Sequence, residues 1–219
     1  MNKLMGALAT VGLTAAVNVG GALAQAETEC SVWLVESSRF MNVPFGAFMP
    51  DRAFVPGSTN ANNNINTVDL PVNIGVIKCG EELILYDAGW KQQEYHRMTG
   101  TDHWVALPEQ LELLDFSADQ VTKIVLGHGH WDHAGQLSDF PNAVIYIQRE
   151  ELQAIEWALN YPNPKISAIN SDPGGCYRTP ACGYMPATMD EIYGKVLGGQ
   201  AVIVDGEAEI LPGVKLHPA

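Results

Sequence analysis

Short apolar runs separated by turn residues recur along the chain, and they predict a series of β-strands. Two of these runs, Val72–Cys79 and Leu83–Tyr86, flank the turn Gly80-Glu81, which indicates a hairpin. The second run ends shortly before Gly89, a residue that releases the chain from the sheet. The other predicted strands are Ser31–Val35, Val121–Leu126, Ala143–Ile147, Ala201–Val204, Ala208–Leu211 and Val214–Leu216.

Helical patterns lie between some of these strands. Leu107–Leu114 and Arg149–Ala158 have helical spacing, and Ser117 with Gln120 fits a capping box. Residues 160–186 are rich in proline and glycine, which predicts a long excursion from the fold. Strands that alternate with helices and then end in a meander favour an α/β sandwich, built as one domain from the 219 residues.

Residues 1–26 have the pattern of a secretory signal peptide. Lys3 gives a positive start, residues 4–19 are mostly apolar, and Ala22-Leu23-Ala24 or Ala24-Gln25-Ala26 offers a cleavage site. A retained membrane anchor is the alternative, although the run is short and rich in glycine. We therefore expect a periplasmic or secreted mature domain of residues 27–219, with no membrane partner after cleavage.

The net charge of the chain limits the classes of partner that it can bind. There are 12 Lys and Arg against 25 Asp and Glu, which gives a formal net charge of −13 at pH 7. A chain this acidic repels phosphate backbones and anionic membranes, so nucleic acid is excluded as a partner. Since 47% of the residues are hydrophobic and 17% are charged, the chain can bury a core.

Four cysteines follow the signal segment, and an exported protein meets conditions in which disulfides form. Cys30 and Cys79 lie in strand-like surroundings and could pair across neighbouring strands, whereas Cys176 and Cys182 flank a loop that contains proline. Four cysteines permit three connectivities, and the sequence leaves all three open. No C-x-x-C pair occurs, which argues against a zinc site built from thiols.

The candidate chemistry lies in residues 127–135, GHGHWDHAG, which follow a predicted strand directly. Three of the six histidines of the chain and one aspartate fall within six residues here. Imidazole nitrogen and carboxylate oxygen are ligands that zinc prefers. The candidate metal ligands are therefore His128, His130, Asp132 and His133, and an accidental histidine cluster is the alternative.

The H-x-H-x-D-H spacing of this segment resembles the signature of the metallo-β-lactamase superfamily. Residues 86–89 (YDAG) and 205–216 are similar to two further segments of that family, so the resemblance covers most of the mature chain. The six-residue motif is highly specific, whereas the other two segments would be weak alone. The resemblance implies an α/β fold of the αββα sandwich type.

The resemblance also implies two zinc ions, with His128 and His130 binding the first and Asp132 and His133 the second. Asp87 would steady the loop through hydrogen bonds, and its alternative interpretation is a turn residue. A metal-bound hydroxide would attack a carbonyl carbon, and Asp132 would act catalytically by passing a proton to the leaving group. Iron, manganese and cobalt stay open as the metal.

The chain departs from the family pattern after Leu216. The remaining ligands of the family, two histidines and a bridging aspartate, do not appear before Ala219. His217 corresponds better to the last strand residue before the missing turn than to a metal ligand. His96 and His103 are expected to be surface or pocket residues. We therefore expect a fragment of a longer enzyme with an incomplete sandwich and uncovered apolar strands.

Within the superfamily, the chain looks most similar to the N-acyl homoserine lactone lactonase branch. This implies lactone ring opening on a small-molecule substrate, and a homodimer is allowed. β-Lactam hydrolysis by an exported enzyme, cleavage of another ester, and a truncated, non-catalytic metal-binding remnant are the alternatives. Four residues either line a pocket for an acyl chain or belong to the core: Phe45, Phe48, Met49 and Trp131.

Overall fold

A computed structural model of the protein describes residues 29–44, 67–159 and 183–218. Several sequence-based predictions fall on other residues and stay predictions. They concern the signal peptide of residues 1–26, a bridge between Cys176 and Cys182, and a pocket role for Phe45, Phe48 and Met49.

Six strands form one mixed sheet in the order β1-β2-β3-β4-β5-β6. The pairs β1–β2 and β2–β3 are antiparallel, and the pairs β3–β4, β4–β5 and β5–β6 are parallel. Two further strands, β7 and β8, form a separate antiparallel hairpin. The strands are β1 Cys30–Pro44, β2 Thr67–Cys79, β3 Glu82–Tyr86, β4 Val121–Val125, β5 Val144–Gln148, β6 Ala201–Val204, β7 Ala208–Leu211 and β8 Val214–Leu216.

Four α-helices lie within the described ranges: α1 Gln92–Thr99, α2 Leu107–Glu112, α3 Arg149–Leu159 and α4 Pro186–Leu197. The sequence pattern predicted α2 and α3 but neither α1 nor α4. Helix α2 is shorter than predicted, because Asp115 adopts a left-handed conformation with φ 62° and turns the chain away. Gln120 accepts a hydrogen bond from the Ser117 backbone N–H at 2.8 Å, as the predicted capping box requires.

The main core lies between the helices and one face of the sheet. Tyr95 of α1, Leu111 of α2, Ile155 of α3 and Ile192 of α4 belong to the same buried cluster as the inward strand residues. The hairpin β7–β8 packs on another cluster, built around Ile84 and Val125 of the sheet. The molecule is therefore layered as helices, sheet and hairpin, which confirms the predicted α/β class.

Some apolar strand residues are exposed to solvent. Val32 and Leu34 of the edge strand β1 are 60% and 72% exposed. They project to one face, because alternate residues of a strand point the same way. No helix in the described ranges combines the length and apolar character that crossing a membrane requires.

A disulfide joins the first two strands. Cys30 and Cys79 are directly opposite in the β1–β2 register, and their sulfur atoms are bonded. This confirms that these two cysteines pair across neighbouring strands. The bond fixes the start of β1 to the end of β2, next to the hairpin turn.

Candidate metal-binding site

Asp87 connects the ends of two neighbouring parallel strands. It follows β3 directly, is 4% exposed and has φ 69°. Its carboxylate accepts a hydrogen bond from the backbone N–H of Gly127 at 2.7 Å. Its other oxygen lies 2.7 Å from Nδ1 of His133. Asp87 therefore holds both ends of the histidine loop, as the sequence resemblance implied.

Backbone hydrogen bonds tie this loop to the segment after β3. The Ala88 N–H donates to His133 O at 2.5 Å, and the Gly135 N–H donates to Gly89 O at 2.7 Å. Gly135 is required here, because a Cβ at this position would lie 2.2 Å from the backbone nitrogen of Lys91. Two chain segments thus cross in close contact and fix the loop backbone.

The structure brings the four predicted ligands together. The ring centroid of His128 lies 4.3 Å from that of His130 and 3.9 Å from that of His133. Nε2 of His133 is 3.5 Å from the Asp132 carboxylate. Among the described residues, none forms a hydrogen bond with the imidazole nitrogens of His128 or His130. Within the described part of the chain, no hydrogen bond competes with an ion for those nitrogens.

Burial decides the protonation of the histidine cluster. It lowers the pKa of His130 to about 3 and also lowers that of His128, and the neighbouring histidines add to both effects. Burial also lowers the pKa of His133, but its hydrogen bond with Asp87 and the nearby carboxylates outweigh burial and raise it overall. His128 and His130 are consequently neutral at pH 7, the form in which imidazole binds metals.

Asp132 is the fourth member of the cluster. Burial raises the pKa of its carboxyl above the ordinary value, although electrostatic interactions with the His133 and His128 rings act in the opposite direction. A buried carboxylate without a full counter-charge gains from a nearby cation. The site thus offers three imidazoles and a carboxylate that a cation would stabilise. These are the donor groups that zinc prefers.

A metal site also requires that its donor atoms be arranged around one point. Within the described part of the chain, no set of three or more His, Cys, Asp or Glu side chains has its donor atoms arranged to hold a metal ion. The ring planes of His128 and His133 are inclined at 46°, with their centroids 3.9 Å apart. The residues fit zinc in chemistry, and hydrogen bonds hold the backbone of the loop that carries them.

Two residues that the sequence did not single out complete the loop environment. The Glu151 carboxylate accepts hydrogen bonds from the Gly129 backbone N–H at 2.6 Å and from the Tyr184 hydroxyl at 3.0 Å. The Tyr184 ring lies edge-on to His130, with centroids 4.7 Å apart. Burial, assisted by Glu151, raises the pKa of Tyr184, so the hydroxyl keeps its proton. The only sequence signal was the position of Glu151 at the start of a helix after a strand.

The other histidines lie away from this cluster. His217 is exposed, and its Nδ1 lies 2.9 Å from Glu207 in the hairpin. Nδ1 of His96 lies 2.8 Å from the backbone oxygen of Thr101, and His103 is exposed. Trp131 is partly buried and packs against the main core, with its ring 5.6 Å from that of Trp90. The histidine positions agree with the expectation of surface or pocket residues, and of the two roles considered for Trp131 the structure shows contact with the core.

Comparisons with known sequences identify one family. The sequence profile described as the Metallo-beta-lactamase superfamily matches residues 67–217. An N-acyl homoserine lactonase from Bacillus cereus is 28% identical over 152 residues, which cover 59% of this chain and 58% of the relative. The chain thus spans less than two thirds of the length of this relative.

Solved structures show the same fold. A probable metal-dependent hydrolase from Staphylococcus aureus matches with a TM-score of 0.62 at 18% identity, covering 88% of this chain and 65% of the other. AidC, described as a dizinc quorum-quenching lactonase, matches with a TM-score of 0.55 at 22% identity, covering 84% of this chain and 61% of AidC. The profile match extends over more than half of the 219 residues, and the chain therefore belongs to the metallo-beta-lactamase superfamily.

Proposed function

We propose that the protein is a metal-dependent hydrolase that opens the ring of a small-molecule lactone. The observation that carries this proposal is the cluster of His128, His130, Asp132 and His133 on a loop held by Asp87. The lactone class is supported by the Bacillus cereus relative, which is named an N-acyl homoserine lactonase.

Zinc is the proposed metal, with His128, His130, Asp132 and His133 as its protein ligands. A bound zinc ion lowers the pKa of a coordinated water to about 7, which supplies a nucleophile at neutral pH. The chain contributes neutral imidazoles at His128 and His130, because burial lowers the pKa of both. Asp87 orients His133 through Nδ1 and leaves Nε2 for the metal.

Asp132 is the proposed proton carrier. Its carboxylate has two oxygens, so one oxygen can bind the metal while the other takes up a proton. We propose that one carboxylate oxygen receives the proton of the attacking water and gives it to the oxygen that leaves the ring. The ring opens to a hydroxy acid, and no covalent intermediate with the protein is required.

We also propose that the protein works outside the cytoplasm, in the periplasm or the medium. The Cys30–Cys79 disulfide supports this location, because such bonds persist in oxidising compartments. The signal-peptide pattern of residues 1–26 points the same way. A small molecule is the proposed partner, and the net charge of −13 argues against nucleic acid.

Turnover and metal content together test the proposed function. We expect the purified chain to bind zinc stoichiometrically and to hydrolyse an N-acyl homoserine lactone faster than a cephalosporin. His130→Ala should reduce lactone turnover by at least about a hundredfold, since removing a ligand costs more than removing a group that supports one. His217→Ala is the matched control, because this exposed histidine pairs with Glu207 and should leave both properties unchanged.

A metal-binding protein without turnover is the second candidate. It is favoured by the cluster of His128, His130, Asp132 and His133 itself, since these side chains can bind an ion without any turnover. Zinc binding that is lost in His130→Ala, with no hydrolysis of either substrate by the wild-type chain, would select this candidate. A chain that neither binds zinc nor hydrolyses a lactone would contradict both.

A further inference from the structure

Glu151 makes a contact inside the histidine loop that the local sequence does not suggest. It lies in the first turn of α3, directly after β5. Its Oε1 accepts hydrogen bonds from the Gly129 backbone N–H at 2.6 Å and from the Tyr184 hydroxyl at 3.0 Å. Gly129 separates two of the proposed ligands, His128 and His130, so the carboxylate acts on the peptide unit between them.

Asp87 and Glu151 make the same kind of contact with the loop. Asp87 accepts the N–H of Gly127 at 2.7 Å, and Glu151 accepts the N–H of Gly129 at 2.6 Å. The peptide on each side of His128 is therefore fixed by a carboxylate. Asp87 fixes the one at Gly127, and Glu151 fixes the one at Gly129. Hydrogen bonds from backbone N–H groups to a carboxylate are short and strong, so they limit how far the loop can turn.

The far side of the loop is held by the segment that carries Tyr184. The Trp131 N–H donates to the backbone oxygen of Gly183 at 3.0 Å. Gly183 lies directly over the ring of His130, where a Cβ would come within 2.5 Å of the ring atoms. The Tyr184 hydroxyl then donates to the Glu151 carboxylate. Glu151 consequently joins α3, the loop and the Gly183-Tyr184 segment at one point.

We propose that Glu151 is a positioning residue for the metal loop, which sets the directions of His128 and His130 through the Gly129 peptide. This inference rests on the proposed metal-binding function. A helix-capping charge is the ordinary role for an acidic residue in a first helical turn. Glu150 occupies the same turn, is exposed and makes no hydrogen bond to the loop, so it provides the matched control.

The test compares zinc affinity, metal geometry and the stability of the metal-free protein. Glu151→Met keeps the side-chain length but removes both oxygens, and we expect zinc binding about ten- to a hundredfold weaker, measured by competition with a chromophoric chelator. The visible spectrum of the cobalt-substituted protein should change as well. The metal-free variant should unfold at a lower temperature, because the Gly129 N–H and the Tyr184 hydroxyl lose their acceptor, so zinc affinity is compared at a temperature where both proteins are folded. Glu151→Gln retains an accepting oxygen and should recover affinity to within about threefold, and Glu150→Met should match wild type.

The outcomes separate the two proposals. If wild type binds zinc and Glu151→Met binds it equally, with an unchanged cobalt spectrum, the positioning role is wrong and the metal site stands. If wild type binds no zinc, both proposals are wrong. Glu151→Gln as weak as Glu151→Met would contradict positioning through the accepted hydrogen bond.

Hydrogen exchange on the wild-type chain gives a test that needs no variant. The Gly129 amide should exchange slowly, as should that of Gly127, because each donates to a carboxylate. Rapid exchange at Gly129 beside slow exchange at Gly127 would overturn the inference. This readout remains decisive if Glu151→Met fails to fold.

Discussion

Gly135 and Asp87 show how single residues shape the candidate metal loop. Gly135 passes the segment after β3 so closely that no side chain fits between the two backbones. Asp87 then fills the space beside the loop with a buried carboxylate that accepts hydrogen bonds from Gly127 and His133. One residue permits the close approach, and the other supplies the polar contact that a buried loop needs.

Alanine at Gly135 should destabilise the fold. The added Cβ would lie 2.2 Å from the Lys91 nitrogen and 2.5 Å from the Trp90 carbonyl carbon, and backbone atoms cannot move aside easily. We expect a loss of about 1–3 kcal/mol in the free energy of unfolding, measured by urea denaturation.

Gly194→Ala is the matched control for this substitution. Gly194 lies within α4, and a Cβ there would meet nothing within 4 Å. Since alanine is the better helix former, the change should stabilise the protein by about 0.5–1 kcal/mol. Equal stabilities for Gly135→Ala and wild type would show that the two segments do not pack as described.

At the scale of elements, the strand pair β3–β4 positions the loop. These strands run parallel, with Tyr86 opposite Val125, so both chains leave the sheet at the same edge. Asp87 and Gly127 follow at that edge and meet there. An ion pair closes the opposite end of the pair, where Lys123 of β4 lies 2.6 Å from Glu82 of β3.

This ion pair should make the free energy of unfolding depend on pH. The hydrogen bonds of Glu82 with Lys123 and Thr122 lower its pKa from the ordinary 4.5, although partial burial opposes the shift. The folded state therefore binds the proton less readily than the unfolded chain. The stabilisation is complete above about pH 4.5 and is lost as the pH falls through the lower pKa of the folded state.

Glu82→Gln should accordingly lower the urea midpoint of unfolding at pH 7. At pH 3 the difference in urea midpoint between the variant and wild type should be smaller. Glu81→Gln, at the exposed neighbouring position in the turn, should follow wild type at both pH values. A gap between Glu82→Gln and wild type that stays constant from pH 7 to pH 3 would show that the ion pair does not carry this dependence.

The same scale shows which elements a local pattern can reveal. Strands β6, β7 and β8 were predicted to the residue, because apolar runs between turn residues are local signals. Helix α1 was missed because its sequence is mostly polar, and Tyr95 supplies its fully buried contact with the core. Helix α4 was missed because Pro186 and the proline-rich residues before it indicate a loop, although proline is also tolerated in a first helical turn.

At the scale of the whole molecule, the candidate site lies where several elements end together. The carboxyl ends of β3, β4 and β5 carry Asp87, the histidine loop and α3 with Glu151. Polar side chains at this edge of a parallel sheet converge from segments that are distant in sequence. The motif of residues 128–133 was recognisable because it is contiguous. Glu151 and Tyr184 were not, because their contacts join positions 22 and 33 residues apart.

Anomalous diffraction at the zinc absorption edge, from crystals of the chain grown with zinc, tests the central claim most directly. We predict at least one strong peak between the loop side chains, about 2.0–2.2 Å from the nitrogens or oxygens of His128, His130, Asp132 or His133. The rings of His128 and His133 should have separated from their 3.9 Å contact. A map without density in the loop, with zinc only at exposed positions such as His217, would contradict the account.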